Sequence, residues 1–338
     1  MLENKNIYTV AIAGATGLTG RELLEVLEER EFPVGDLVLL ASERSEGERL
    51  DFRGRKWTVK RLGKGSFPDV DLAFFVAGEE RARDFAPSAV SSGAVVIDGS
   101  GAFSDDPKVP LIVPGINAAM TGNHTGIIAC PAPGSTAVAM VLQPIHAAAT
   151  VRRAVVTTFE PVSGAGKKAM DELAGQTVAL LNFRDVEKKV FPHQIAFNCL
   201  PQIGAVLEDG TTRDEARMER EVAKVLGSAG LRISTTAVRV PVFRGYAISL
   251  NIETERPLPP NEARAQLSQA PGVVVFDDPA HGVYPLQIDV VGKNDVFVGR
   301  IRKDDSLPNG LNLWVVCDDL RKGSAQNAVQ IAEHLVRQ

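Results

Sequence analysis

Cysteine is scarce in this chain: Cys130, Cys199 and Cys317 are the only three among 338 residues. Thiols so few and so far apart make neither a disulfide framework nor a clustered zinc site, and a reducing cytoplasm is the expected compartment. Basic charge is also short, with 37 Lys and Arg against 42 Asp and Glu for a formal net charge of -5. A nucleic-acid backbone is therefore not an expected partner. Long apolar runs are missing: the least charged stretch, 123–151, is broken by Pro131, Pro133, Gly134 and Pro144. No segment is long enough to span a bilayer, and no membrane is expected. The polar start, 1–6, lacks the basic and apolar regions of a secretion signal. His124, His146, His193, His281 and His334 are scattered without metal-ligand spacing, so no metal is expected.

What the chain does have is ordinary globular material, at a length that suggests two domains. Residues 8–13, Y-T-V-A-I-A, form an apolar, β-branched run closed by Gly14, and 21–29 then carries Leu23, Leu24 and Leu27 at helical spacing. Similar strand-like runs recur at 37–41, 72–77, 94–98 and 127–130, with helical segments such as 81–92 between them. This alternation predicts a mostly parallel, doubly wound sheet over the first 130 or so residues.

The texture changes after a helical segment at 137–148. Residues 246–254 alternate apolar and polar, as in a half-buried antiparallel strand. Thr212 with Glu215 gives a capping-box signature for a helix running to Leu226, where Gly227 ends it. The tail puts Ala325, Ala328, Val329, Ala332, Leu335 and Val336 on one helical face, which predicts packing against the first domain. Trp57 and Trp314 sit in strand-like runs and read as packing residues, and the charges from Arg217 to Glu221 read as a solvated helix face.

Gly14-Ala15-Thr16-Gly17-Leu18-Thr19-Gly20 follows the first strand and opens a helix. In that context a glycine turn lets backbone N–H groups approach a pyrophosphate, although a tight turn without a ligand has the same appearance. About twenty residues on, where an NAD enzyme carries an acid for the ribose, this chain has Ser42, Arg44 and Ser45. That set favours a 2′-phosphate, hence NADP.

These blocks, with P-V-S-G-A-G at 161–166, F-P-H-Q-I-A-F-N at 191–198, R-V-P-V at 239–242, F-V-G-R-I-R-K-D at 297–304 and the run from Asn312 to Glu333, resemble aspartate-semialdehyde dehydrogenases over nearly the whole length. The resemblance implies an α/β protein with a Rossmann-type dinucleotide-binding domain at 1–134, onto which 320–338 packs back. It further implies an α+β substrate and dimerisation domain with a mixed sheet at 135–319, and a homodimer. Relatives of this kind interconvert aspartyl phosphate and aspartate semialdehyde with NADP(H), through a cysteine thiolate that becomes a thioester after hydride transfer. The resemblance places cofactor contacts at Ser163, Gly164 and Asn327 as well as in the glycine turn. It places the substrate carboxylate at Arg239, with Asp214 and Arg217 in the same pocket, either as ligand groups or as a structural pair.

The chemical positions depart from the family. The slot of the nucleophile, directly before Ser-Thr, holds Gly134, which has no side chain to form a thioester. Tyr246 stands where the family has its histidine, Glu160 stands for the glutamine that polarises the acyl group, Ser104 for the phosphate-binding arginine and Asp319 for an asparagine. Glu79 and Glu80 replace small residues near the cofactor, where carboxylates repel phosphates unless Arg81 or Arg83 compensates. Cys130, four residues before Gly134, reads as a strand-end core residue. Two expectations follow: a family member lacking the catalytic cysteine, without intact catalytic residues, binding a nucleotide or a small carboxylate or pairing with an active relative; or an active NADP-dependent aldehyde oxidoreductase with a relocated nucleophile or another substrate.

Overall fold

Each apolar run of the first 130 residues becomes a parallel strand in the structure, a computed structural model that describes residue 2 and residues 5–337. The elements, in chain order, are β1 (Tyr8–Ala13), α1 (Leu18–Glu29), β2 (Val34–Ala41), β3 (Arg49–Phe52), β4 (Arg55–Thr58), β5 (Lys60–Arg61), β6 (Leu72–Phe75), α2 (Glu79–Ser91), β7 (Val95–Asp98), α3 (Pro114–Asn117) and β8 (Ile127–Ala129). Six strands make one sheet in the order β5-β2-β1-β6-β7-β8, all neighbours parallel. The order reverses between β1 and β6, which opens a crevice at the carboxyl ends of those two strands. β2 starts three residues before its apolar run, because Tyr8 already donates its backbone N–H to the Pro33 carbonyl at 2.8 Å. The β3–β4 hairpin was not visible as alternation; it turns at Arg53 and Gly54, both at positive φ.

The chain forms two compact units, 1–132 with 323–338, and 133–322. In the first, side chains alternate across the sheet: Val10, Ile12, Leu39 and Phe74 pack with Leu23 and Leu27 of α1, while Ala11, Ala13 and Phe75 pack with Ala82, Ala86 and Ala89 of α2. The apolar face of the last helix, α8 (Gln326–Val336), joins the α1 side through Val329, Ile331, Ala332 and Leu335. Arg30 fastens it with a bidentate pair to Glu333 at 2.6 and 2.7 Å.

The second unit contains α4 (Pro133–Ala149), β9 (Val151–Glu160), α5 (Lys167–Leu181), α6 (Arg213–Leu226), β10 (Arg232–Arg239), β11 (Tyr246–Thr254), α7 (Pro260–Gln269), β12 (Val273–Val275), β13 (Val296–Asp304) and β14 (Gly310–Cys317). Its sheet runs β10-β9-β11-β14-β13-β12 and is mixed, parallel at both edges and antiparallel in the middle. The alternating 246–254 run is β11, paired on both sides. α4 buries Ala137 to Leu142 without a break, as a helix surrounded by protein does. α6 begins on the capping box of Thr212 and Glu215 and stops at Gly227 in the left-handed region. No helix among the described residues is long and apolar enough to cross a membrane, and no three His, Cys, Asp or Glu side chains among them could hold a metal ion.

Candidate functional site

The turn after β1 is built around backbone clearance. A Cβ at Gly14, where φ is +101°, would lie 2.8 Å from the Val76 carbonyl carbon, and one at Gly20 would lie 2.2 Å from the Gly14 oxygen and 2.7 Å from Ala15 Cα. Gly17 caps α1 with no side-chain hydrogen bond, so no side chain of the cap competes for the first-turn N–H groups. The Thr16 hydroxyl donates to Ser45 Oγ at 3.3 Å, tying the turn to the segment after β2, where Ser42 and Arg44 are exposed and Ser45 is buried. At α2, Glu79 is compensated by Arg83 at 3.4 Å, while Arg81 donates to the Ala77 carbonyl at 3.2 Å. Asn327, fully buried in the same unit, donates its Nδ2 to the Ile112 carbonyl at 3.0 Å and leaves Oδ1 without a hydrogen-bond partner. Clearance, a helix start that no side chain caps and an arginine beside two serines fit a dinucleotide phosphate.

In the second unit, three adjacent strands converge their ends on one cluster. The parallel register of β10 on β9 puts Arg239 opposite Glu160. The antiparallel register of β11 on β9 pairs Ala247 with Phe159 and so sets Tyr246 beside Glu160. The Tyr246 hydroxyl donates to Glu160 Oε1, and Thr158 donates to the same oxygen at 3.1 Å. Arg239 donates Nη1 to the Pro161 carbonyl at 2.6 Å and holds it 3.5 Å from Glu160 Oε2. Gly164 leaves room for that guanidinium: a Cβ there would come within 2.9 Å of Nη1.

Gly134, at the start of α4, faces the same cluster. A Cβ built on it would meet the Met218 terminal methyl at 2.6 Å, the Tyr246 hydroxyl oxygen at 2.7 Å and ring Cζ at 2.8 Å, well inside the roughly 3.5–4.0 Å of carbon contact. The space of a side chain at 134 is already filled. The hydroxyls of Ser135 and Thr136, next along the helix and fully buried, have no hydrogen-bond partner.

Burial, and then the Glu160 charge, push the Tyr246 phenol far above its ordinary value near 10, which removes it as a proton shuttle at neutral pH. Burial also raises the Glu160 carboxyl, against the opposing pull of Arg239 and of the Tyr246 hydrogen bond, with the Asp214 charge adding to the rise. Asp214 itself is exposed, and its charge reaches Glu160.

Family models match both halves of the chain: the semialdehyde dehydrogenase NAD binding domain over residues 9–124 and the semialdehyde dehydrogenase dimerisation domain over residues 142–322. The aspartate-semialdehyde dehydrogenase of Aquifex aeolicus is 48% identical over 335 residues, covering 98% of each chain. That of Bacillus subtilis is 42% identical over 334 residues, covering 96% of each. The crystal structure of aspartate semialdehyde dehydrogenase II from Vibrio cholerae superposes with a TM-score of 0.95 at 44% identity, over 98% of this chain and 99% of that one. This chain belongs to the semialdehyde dehydrogenase family.

As a semialdehyde dehydrogenase family member it carries the NAD binding and dimerisation domains, and its two sheets have the α/β architecture the sequence implied. Of the residues expected at the cofactor, Ser163 is buried and donates Oγ to Asp319 at 2.6 Å. Asp319 also accepts from Gly245 N–H at 2.9 Å, and burial raises its carboxyl. Arg217 donates to Glu221 at 2.6 Å. The solvated face expected from Arg217 to Glu221 is corrected in part, because Arg220 is exposed but the Glu221 side chain has no exposure and lies under Arg217. Ser104 is buried in the first unit.

Cys130 is buried within the core of the first unit, its N–H donating to the Asp98 carbonyl at 2.7 Å. Cys317 is fully buried, and burial with the charges of Asp319 and Asp318 drives its thiol upward, away from the thiolate. Met218 and Thr158 were not singled out in the sequence. Met218 lies three residues after Glu215 on the buried face of α6, and Thr158 two before Glu160 on β9; their spacing marks both, but nothing marks what they touch.

Proposed function

We propose that this chain is a member of the aspartate-semialdehyde dehydrogenase family that has lost the NADP-dependent phosphorylating oxidation of aspartate semialdehyde while keeping the fold, the glycine turn and the dimerising second domain. The observation that carries the reading is the filled space at Gly134. No thiolate stands at the start of α4, and Tyr246 occupies the volume where one would project. Tyr246 in place of the histidine, Glu160 in place of the glutamine and Ser104 in place of the arginine all work against the same reaction. Cys130 sits among core side chains, which argues against a relocated nucleophile.

The residues of the first unit that would hold NADP are Gly14, Thr16, Gly17, Leu18 and Thr19 at the pyrophosphate, Ser42, Arg44 and Ser45 at the 2′-phosphate, and Asn327; Ser163 and Gly164 of the second unit stand at positions where the family resemblance implies cofactor contacts. When bound, the nicotinamide supplies hydride chemistry; this chain's own residues orient it and do no more. Arg239, Asp214 and Arg217 form the small-carboxylate pocket. The working form is a cytoplasmic homodimer or a subunit paired with an active relative. The intact glycine turn favours a second reading, an active NADP-dependent aldehyde oxidoreductase.

The test is NADPH formation from aspartate semialdehyde and phosphate by wild type and Cys130→Ser, beside the Aquifex aeolicus relative as positive control. No turnover in either form is expected. Turnover in either form would establish the second reading, with Cys130 as the relocated nucleophile if Cys130→Ser abolishes it, and would sink the proposal. Arg44→Ala should weaken NADPH binding at least tenfold while leaving NADH binding within twofold.

A further inference from the structure

The pocket of Arg239 is occupied by the protein itself. Glu160 Oε1 is fixed by two hydroxyl donors, Tyr246 and Thr158, which leaves Oε2 directed at the guanidinium 3.5 Å away. The side chains of Arg239 and Glu160 are 8% and 13% exposed, so water screens the pair poorly. The partner that aims Glu160, Tyr246, is also the side chain that fills the Cβ space of Gly134. Two subsites are thus closed by two side chains joined by one hydrogen bond.

We propose that Tyr246 and Glu160 act as an internal plug, in which Tyr246 takes the volume of a side chain at position 134 and Glu160 serves as the built-in carboxylate of Arg239. The proposal deepens the functional reading above and rests on its placement of Arg239 in the carboxylate pocket. A small carboxylate entering this pocket meets an arginine already neutralised, with the negative charges of Glu160 and Asp214 beside it. Loss of the nucleophile and loss of affinity for an external carboxylate are then one remodelling, centred on the ends of β9 and β11.

Succinate is the probe, measured by isothermal titration calorimetry on the full chain. Glu160→Gln keeps an acceptor oxygen for Tyr246 and Thr158 but removes the charge. It should bind succinate at least tenfold more tightly than wild type, and Glu160→Gln with Arg239→Gln should lose that gain. If Glu160→Gln does not fold by circular dichroism, Glu160→Ala carries the same comparison. Wild-type binding as tight as that of the variants, or a gain that survives loss of Arg239, overturns the proposal. The dehydrogenase assay on the same preparations separates the two claims: turnover with weak wild-type succinate binding defeats the functional reading alone, and tight wild-type binding without turnover defeats the plug alone.

Discussion

Gly20 and Gly134 both lie in the first turn of a helix, and both are glycine because something stands where a Cβ would be. The neighbours differ. At Gly20 they are the Gly14 carbonyl oxygen and the Ala15 backbone, atoms fixed by the turn itself. At Gly134 they are the tips of Met218 and Tyr246, atoms that other side chains would not place there. A glycine pressed on backbone belongs to the fold, whereas one pressed on side-chain tips records a set of residues chosen together. The first unit keeps its glycine turn for the former reason; in the second, the tips of Met218 and Tyr246 keep position 134 bare for the latter.

The comparison breaks if the two glycines respond alike. Gly20→Ala should destabilise the protein by about 3 kcal/mol in urea unfolding, and no neighbouring side-chain change should relieve it. Gly134→Cys should cost about 2 kcal/mol, with at least ~1 kcal/mol recovered when Tyr246→His is combined with it, since the imidazole is shorter than the phenol. Additivity of that pair in a double-mutant cycle would remove the coupling on which the comparison stands. Thr212→Ala should cost about 1 kcal/mol by loss of the capping box on α6, the helix that carries Met218.

The smallest effect is a pH dependence at Asp319. Burial raises its folded-state carboxyl above the ordinary value of 3.8, so the folded chain holds that proton to a higher pH than the unfolded chain. Its contribution to stability is full at low pH and falls as pH climbs from near 4 through the raised value. The urea midpoint of Asp319→Asn relative to wild type should therefore grow between pH 4 and pH 7. A difference that stays flat would mean that hydrogen bonds from Ser163 and Gly245 offset the burial.

Local signals carried well into structure. The glycine turn, the alternation of β11, and the Thr212–Glu215 box with its Gly227 stop depend on residues a few positions apart, and each formed where its pattern stood. The facing of the charged row on α6 did not carry in full. Arg217 to Glu221 looked like a charged surface row, yet Glu221 is buried, because an i, i+4 ion pair neutralises the charge that would otherwise forbid the interior. The charge-rich β3–β4 hairpin left only the run around Trp57 readable as a strand, and Trp57 packs against the core of its own unit.

The sequence by itself determined the identities that matter: glycine at 134, tyrosine at 246, glutamate at 160, serine at 104, and an unbroken glycine turn at 14–20. From these it is plain that position 134 carries no thiol, since no fold can give glycine one. What only the tertiary structure decided is where these side chains go. Tyr246 and Glu160 are 86 residues apart, and Arg239 is 79 beyond Glu160. Their meeting follows from the registers of three adjacent strands, which are set by long-range pairing and leave no local trace.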